Sequence, residues 1–232
     1  MRVLVTRPSG DAEETAAKLA ALGHQAVLAP LLEIKLVSGA ELALDNVQAV
    51  LVTSGNAIRA LAERTRRRDV RVIAVGTQSA AVARRLGFQN VESADGDADA
   101  LVAFVMATLA AKGATLLHPA GKDTRGDIAS RLRAQGFQIR SEVLYEAVAA
   151  TTLAPAVHEA LSEHRLDAAL FYSPRTATIF AELARREGHA SDCARLTALC
   201  ISRATAEALG PIQFGDVRVA ERPNEQSLFG LL

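Results

Sequence analysis

The chain has 232 residues, of which 50% are hydrophobic and 22% are charged, and its formal net charge at pH 7 is zero. This composition is typical of a globular protein with one large core or two small ones. A neutral chain has no global basic field, so neither nucleic acid nor an anionic membrane is expected as a partner. The first residues lack the apolar block of a signal peptide, and no apolar run approaches the roughly 20 residues of a membrane span. We therefore expect a cytoplasmic protein.

Short apolar runs alternate with helical patterns along the chain. Runs of this kind indicate buried parallel strands, and they are predicted at residues 2–6, 25–28, 49–53, 70–75, 90–92, 115–118, 138–140, 167–172, 196–201 and 216–219. Helices are predicted between these strands, with Gly23, Gly87 and Gly136 marking three of their ends. The alternation predicts an α/β fold with parallel sheets and helices on both faces.

The chain also contains an internal duplication. Four pairs of identical residues share a separation of 113 positions, namely Gly23/Gly136, Gln25/Gln138, Leu31/Leu144 and Glu33/Glu146. Ten strands are too many for one ordinary sheet of this length, and the duplication divides them five and five. Two short connectors, at residues 29–37 and 141–151, occupy equivalent positions in the two copies. If both connectors cross between domains, the first two strands join the last three; if not, the domains are the two sequence halves.

Four turns share one design, in which a strand is followed by small or hydroxyl residues and then by a helix. They comprise Thr53, Ser54, Gly55 and Asn56; Gly76, Thr77, Gln78 and Ser79; Tyr172, Ser173, Pro174 and Arg175; and Ser202, Arg203, Ala204 and Thr205. In an open parallel sheet these turns lie at the carboxyl edge, where ligands collect. Helix N-termini present unpaired N–H groups that suit carboxylates or phosphates. The alternative is that the hydroxyls of Ser54, Ser79, Ser173 and Thr205 only cap helices, each contributing about 1 kcal/mol.

Other residue patterns bear on which ligands and which kinds of site the chain could have. Arg7 and Arg125 follow equivalent strands and are candidates for binding ligand carboxylates, with solvation at the surface as the equal alternative. The five histidines show no metal-ligand spacing, so we expect no metal site. The cysteines Cys193 and Cys200 are predicted to be two buried thiols. There is no glycine-rich phosphate loop, which disfavours a nucleotide transferase.

Taken together, these residues resemble the uroporphyrinogen-III synthase family over essentially the whole chain. The matching pieces are VLVTRP at residues 3–8, LVTSGNA at 51–57, AVGTQSA at 74–80, Gly121 with Arg125, VLYEA at 143–147, YSPRTA at 172–177 and ISRATAEAL at 201–209. Each piece is short, and it is their order and spacing that carry the resemblance.

The resemblance implies two similar domains, each a five-stranded parallel sheet flanked by helices, joined by a two-stranded linker. Domain 1 would be discontinuous, comprising residues 1–30 and 152–232, with residues 40–140 forming domain 2 and residues 31–39 and 141–151 the linker. The active site would lie in a cleft between the domains. The implied substrate is hydroxymethylbilane, a linear tetrapyrrole with eight carboxylates, which the family cyclises with loss of water and inversion of ring D.

The resemblance also assigns roles to residues. Tyr145 falls where the family has a prominent tyrosine, which makes it the candidate proton donor for the departing hydroxyl; the alternative is an aromatic anchor. Substrate-binding positions are implied for Thr6, Arg7, Gly121, Arg125 and the residues of the four turns other than Thr53 and Tyr172. In the last turn Ser202 replaces the family's glycine, so close backbone approach to the substrate is less favoured there.

No cofactor or metal is implied, and the expected protein is a monomer or a weak dimer. The partner is the small-molecule substrate, with at most a transient contact to the preceding enzyme of the pathway. The competing hypothesis is a two-lobed α/β protein that binds a small anionic ligand without chemistry.

Overall fold

A computed structural model describes residues 1–123 and 127–232. The strands of this part of the chain are β1 (Arg2–Val5), β2 (Gln25–Leu28), β3 (Leu32–Leu36), β4 (Val47–Val52), β5 (Arg71–Ala74), β6 (Asn90–Ser93), β7 (Thr115–Gly121), β8 (Ile139–Ala149), β9 (Ala168–Phe171), β10 (Thr197–Cys200) and β11 (Asp216–Val219). The helices are α1 (Ser9–Ala21), α2 (Gly55–Arg64), α3 (Thr77–Arg85), α4 (Ala98–Thr108), α5 (Ile128–Ala134), α6 (Pro155–Ser162), α7 (Pro174–Arg186), α8 (Arg203–Glu207) and α9 (Glu225–Phe229), and a 3₁₀ turn spans Asp192–Arg195.

The predicted α/β class, with parallel sheets flanked by helices, is confirmed. The chain divides into two compact units: the first comprises Met1–Glu33 and Val148–Leu232, and the second comprises Ile34–Ala147. The chain therefore passes from one unit to the other within β3 and returns within β8. Among the described residues, no helix is both long enough and apolar enough to cross a membrane.

The first unit contains a five-stranded sheet in the order β11-β10-β9-β1-β2, and all of its pairings are parallel. Alternate residues of its central strands enter different hydrophobic clusters, with Leu4 and Phe171 in one and Val5 and Leu170 in the other. This burial on both faces explains why its strands appear in the sequence as unbroken apolar runs. Cys200 and Cys193 are buried in the first of these clusters, as predicted, and burial raises the pKa of each thiol to about 12.

The second unit contains the sheet in the order β3-β8-β7-β4-β5-β6. Its inner pairings are parallel. The amide of Val37 donates to the carbonyl of Leu144, and that of Ala150 donates to Leu31, so β3 runs antiparallel to β8. This sheet also has two buried faces, because residues of β4 alternate between two clusters.

The prediction of five strands in each sheet is wrong for the second unit. The strand expected at residues 138–140 and the connector expected at 141–151 are one continuous strand, β8, and β3 adds a sixth strand beside it. The physical reason lies at Pro30, which has no N–H to donate and interrupts the chain between β2 and β3. In the second copy Val143 occupies the equivalent position, and a β-branched residue continues the strand.

The duplication is visible in the strand register. Val3 pairs with Ala26 in the first copy, and Leu116 pairs with Ile139, each 113 positions later, in the second. The helix ends agree as well, since Gly23 and Gly136 both adopt positive φ, at 80° and 86°. A side chain is strained in this left-handed conformation, so glycine is favoured in both copies.

Candidate functional site

Two turns of the second unit follow neighbouring strands. Val52 at the end of β4 is paired in register with Ala74 at the end of β5. Two residues beyond each of them, Ser54 caps α2 and Gly76 caps α3. The parallel register therefore places both helix N-termini at the carboxyl edge of this sheet, as the sequence predicts for ligand-binding turns.

Ser54 and Tyr145 come together at this edge. The Ser54 Oγ accepts a hydrogen bond from the Ala57 amide at 3.1 Å and lies 3.2 Å from the Tyr145 hydroxyl oxygen. Either hydroxyl can donate in the second contact. Tyr145 is half-buried, and its ring packs against the core cluster that underlies α2 and α3. Its hydroxyl is thereby linked to a helix N-terminus through a single side chain.

The position of Tyr145 is set by strand pairing. It lies in register with Gly121, the buried last residue of β7, and its carbonyl accepts the Lys122 amide at 2.8 Å. Lys122 Nζ in turn binds Glu146 Oε1 at 3.0 Å. Because β8, β7, β4 and β5 are consecutive in the sheet, Tyr145, Gly121, Ser54 and Gly76 are successive along its carboxyl edge.

The other predicted residues of these two turns differ in exposure. Gly55 and Asn56 are half-buried, and the Asn56 Oδ1 accepts a hydrogen bond from Arg59 Nη1 at 3.1 Å. Thr77 and Gln78 are exposed, whereas Ser79 is only 8% exposed. The alternative in which the Ser79 hydroxyl caps this helix is wrong, because the helix begins at Thr77 and its N-cap is Gly76.

The first unit repeats this arrangement at β9 and β10. Phe171 and Cys200 end these strands and are paired in register, and two residues beyond each of them Ser173 caps α7 and Ser202 caps α8. The two helix N-termini therefore lie side by side at the carboxyl edge of this sheet. Four residues of their first turns are exposed, namely Pro174, Arg175, Arg203 and Ala204.

Each of these serines forms hydrogen bonds with the threonine three residues later in the chain. The Ser173 Oγ accepts the Thr176 amide at 3.2 Å and lies 3.0 Å from the Thr176 Oγ1. The Ser202 Oγ accepts the Thr205 amide at 3.3 Å and lies 2.9 Å from the Thr205 Oγ1. Thr205 is fully buried, so the alternative that gave it the capping role is wrong, and Ser202 is the cap.

Thr6 and Arg7, at the end of β1, are bound within the first unit. The fully buried Thr6 hydroxyl donates to the Leu170 carbonyl at 2.8 Å. Arg7 is 8% exposed, so the alternative of a solvated surface arginine is wrong. Its guanidinium binds Asp11 Oδ2 at 2.9 Å and Glu225 Oε1 at 3.2 Å.

Tyr172, which belongs to one of the four predicted turns, and Glu225, which sequence reasoning missed, complete this cluster. The Arg7 guanidinium lies over the Tyr172 ring, with 4.3 Å between the Arg7 Cζ and the ring centroid. The Tyr172 hydroxyl donates a hydrogen bond to Glu225 Oε1 at 3.1 Å. Burial, and then the charge of Glu225, raise the pKa of Tyr172 above its ordinary range. Tyr172 was recognisable as the residue before Ser173, whereas Glu225 begins the last helix, 218 positions after Arg7, so no local signal links the two.

The remaining sequence predictions concern Arg125 and a metal site. Arg125 lies outside the described residues, as do its neighbours 124 and 126. Within residues 1–123 and 127–232, no group of three His, Cys, Asp or Glu side chains is placed so as to hold a metal ion.

The chain is a two-unit α/β protein in which each unit has capped helix N-termini side by side at the carboxyl edge of its sheet. The family model described as uroporphyrinogen-III synthase HemD matches residues 13–230. The chain belongs to the uroporphyrinogen-III synthase family. No curated protein sequence matches it.

Solved structures show the same fold at low sequence identity. Uroporphyrinogen-III synthetase from Helicobacter pylori is 16% identical with a TM-score of 0.62, and the match covers 100% of this chain and 98% of that one. A mutant uroporphyrinogen III synthase from Thermus thermophilus is 18% identical with a TM-score of 0.52, covering 100% and 97%. Family membership favours the enzyme over the alternative of an anion-binding protein without chemistry.

Proposed function

We propose that the chain is a uroporphyrinogen-III synthase, a lyase that converts hydroxymethylbilane to the macrocycle with loss of water and inversion of ring D. The observation that carries this proposal is the family match over residues 13–230. The two units are the two domains of this enzyme, and the substrate is its small-molecule partner. A cytoplasmic location and a transient contact with the preceding pathway enzyme stay predictions.

Substrate carboxylates are bound by the capped turns of each unit. Near the start of a helix the backbone N–H groups have no intrahelical partner, and the helix dipole places partial positive charge there. In α2 the Ser54 Oγ accepts the Ala57 amide, so the amides of Gly55 and Asn56 are the ones offered to a ligand. Binding by amides and hydroxyls suits a chain of zero net charge, and it avoids a strong ion pair that would slow the release of product.

The acid in this proposal is Tyr145. The Ser54 Oγ accepts the Ala57 amide, and in the proposed relay the Ser54 hydroxyl donates to the Tyr145 oxygen, which is one of the two directions that their 3.2 Å contact allows. In this direction the phenol oxygen already accepts a hydrogen bond, and its own proton is left for the departing hydroxyl of the substrate. Consecutive donors along such a chain polarise one another, so a phenol becomes a more effective proton donor.

The remaining chemistry belongs to the substrate. A pyrrole nitrogen of the bilane supplies the electron pair that expels the hydroxyl, which leaves as water with the proton of Tyr145. The resulting azafulvene is attacked by the substituted α-carbon of ring D to give a spirocyclic intermediate. The bond from that carbon to the bridge of ring C then breaks, with the electron pair of the ring C nitrogen forming a second azafulvene. The free α-carbon of ring D attacks the bridge carbon of this second azafulvene, which closes the macrocycle with ring D inverted, and then loses its proton. The proton released when the macrocycle regains its pyrroles restores the phenol. The protein therefore contributes chiefly by positioning the chain and excluding water.

A product assay tests the function. Hydroxymethylbilane is generated enzymatically and added to the purified chain, and the oxidised products are separated into type I and type III isomers. The type III isomer is expected to dominate, while a heat-inactivated sample gives the type I isomer of uncatalysed closure. Only type I product in both samples, with the bilane bound by the folded chain, would instead support the binding protein.

A further inference from the structure

One carboxylate in the first unit accepts hydrogen bonds from several directions. Glu225, at the start of α9, accepts from Arg7 Nη1 at 3.2 Å, from the Tyr172 hydroxyl at 3.1 Å and from the Thr15 hydroxyl at 3.4 Å. Its other oxygen binds Lys18 Nζ. The Glu225 side chain is 16% exposed, so these contacts are largely shielded from water. Charged hydrogen bonds in such surroundings are stronger than those at the surface.

The contacts of Glu225 join the ends of two adjacent strands. Val5 of β1 and Leu170 of β9 are paired in register, and two residues beyond each of them Arg7 and Tyr172 face one another. Because both of these side chains bind Glu225, one carboxylate fixes the chain leaving β1 and the chain leaving β9.

Glu225 binds two cations, Arg7 and Lys18, and Arg7 also binds Asp11. Replacing Glu225 by a neutral residue would leave the buried Arg7 with weaker compensation, which is costly in a shielded site. The expected response is a shift of Arg7 and of the Tyr172 ring beneath it.

We propose that Glu225 is a positioning residue for the substrate-binding turn at Ser173. Tyr172 immediately precedes Ser173, whose Oγ caps α7. By holding the Tyr172 hydroxyl, Glu225 sets the direction in which the chain enters this turn and presents the first turn of α7. The inference rests on the proposed function, since it assigns to that turn the binding of a substrate carboxylate.

The first test is kinetic. Glu225→Gln keeps the size of the side chain and removes its charge, so we expect KM to rise about three- to tenfold with kcat within about twofold of wild type. Tyr172→Phe should reproduce part of the rise in KM, and the double variant should fall short of the product of the two single effects. The matched control is Glu221→Gln, an exposed carboxylate on the same C-terminal stretch, which should change neither constant.

The second test reports on Tyr172 directly. The chain has two tyrosines and no tryptophan, so in a Tyr145→Phe background the near-ultraviolet tyrosinate absorbance belongs to Tyr172 alone. Adding Glu225→Gln removes a negative charge next to the phenol, so tyrosinate absorbance should begin to rise at lower pH than in the Tyr145→Phe parent, compared over the pH range in which circular dichroism shows both folds intact.

An increase in KM together with this shift supports the proposal. A shift of Tyr172 ionisation with unchanged KM would overturn it, because the contact would then be present without positioning the turn. A wild-type chain that makes no type III isomer is a different result: it refutes the proposed function, while the tyrosinate titration still measures the contact.

Discussion

The Tyr145 hydroxyl lies 3.2 Å from the Ser54 Oγ, an atom that also accepts the Ala57 amide of α2. Two residues 91 positions apart thus form one hydrogen-bonded unit at a helix N-terminus. The consequence is that their substitutions should not act independently.

We expect Tyr145→Phe to lower kcat/KM about 10²-fold or more, because it keeps the ring and removes only the proton that the leaving hydroxyl needs. The isomer ratio of the residual product should not change, since the shape of the site controls inversion of ring D. The measurement is kcat/KM with product isomers separated. If kcat/KM of the variant stays within threefold of wild type, Tyr145 is only an aromatic anchor, and the substrate itself assists the loss of water.

Ser54→Ala should cost more than removal of an equivalent hydroxyl elsewhere. It removes the cap of α2 and the side-chain contact with the proposed acid Tyr145, and two hydrogen bonds of about 0.5–1.5 kcal/mol each correspond to roughly 5–150-fold in rate when both support the transition state. Ser173→Ala is the matched control, because it also removes a cap and one side-chain contact, but that contact is with Thr176 and does not reach Tyr145. We expect that control to lose tenfold or less. Equal losses in both variants would argue against the relay.

Glu187 is expected to stabilise the first unit in a pH-dependent way. Burial acts to raise its pKa, but hydrogen bonds from the Leu153 amide and Arg186, with the charge of His158, lower it overall. A carboxyl with a lowered folded-state pKa contributes stability that is present above its unfolded pKa of about 4.3 and is lost as pH falls through the folded value. Glu187→Gln should therefore lower Tm near pH 7, and this difference from wild type should shrink as pH falls below about 4.

Thermal unfolding across this pH range measures the effect of Glu187. Glu182→Gln, at an exposed position on α7, the helix whose C-cap is Glu187, is the control and should leave Tm unchanged throughout. A Tm difference that stays constant down to low pH would show that Glu187 acts through packing and not through its charge.

The core of the first unit should depend strongly on Phe180. Its ring is fully buried and meets the Phe171 ring edge-on, with 5.3 Å between centroids. Phe180→Ala should lower the free energy of unfolding by about 3–5 kcal/mol, through lost burial and the cavity left behind. Phe214, whose ring is 6.3 Å from that of Phe180, is only partly buried, so Phe214→Ala should cost clearly less in denaturant titrations. Equal costs would mean that the core collapses around the vacancy.

The sequence predicts best what depends on neighbouring residues. Ser54 and Ser173 were identifiable because a serine between an apolar run and a helical pattern is a common N-cap. The contact between Ser54 and Tyr145 was not predictable, because it depends on the register of β8 against β7, which the sequence leaves open. The same applies to Arg7, whose partner Glu225 is brought to it only by the complete first unit.

The connectors show where a local rule was overlooked. Pro30 was visible in the sequence, and its missing N–H explains why β2 and β3 are separate strands. The absence of proline at the equivalent Val143 permits one long strand, β8, and β3 is the sixth strand because it pairs beside β8.

The first unit is built from two separate segments of the chain, and this affects the order in which the parts of the protein fold during synthesis on the ribosome. β1 and β2 leave the ribosome first, but β1 pairs with β9, which is synthesised only after the whole second unit. A two-stranded piece is marginal by itself, so the N-terminal segment must wait, with one edge of β1 unpaired, while the second unit folds. Folding of that unit removes most of the chain entropy that closing β1 onto β9 would otherwise cost. A variant that slows the second unit would thus prolong the exposure of β1 and increase the demand for chaperones, although it changes no residue of the first unit.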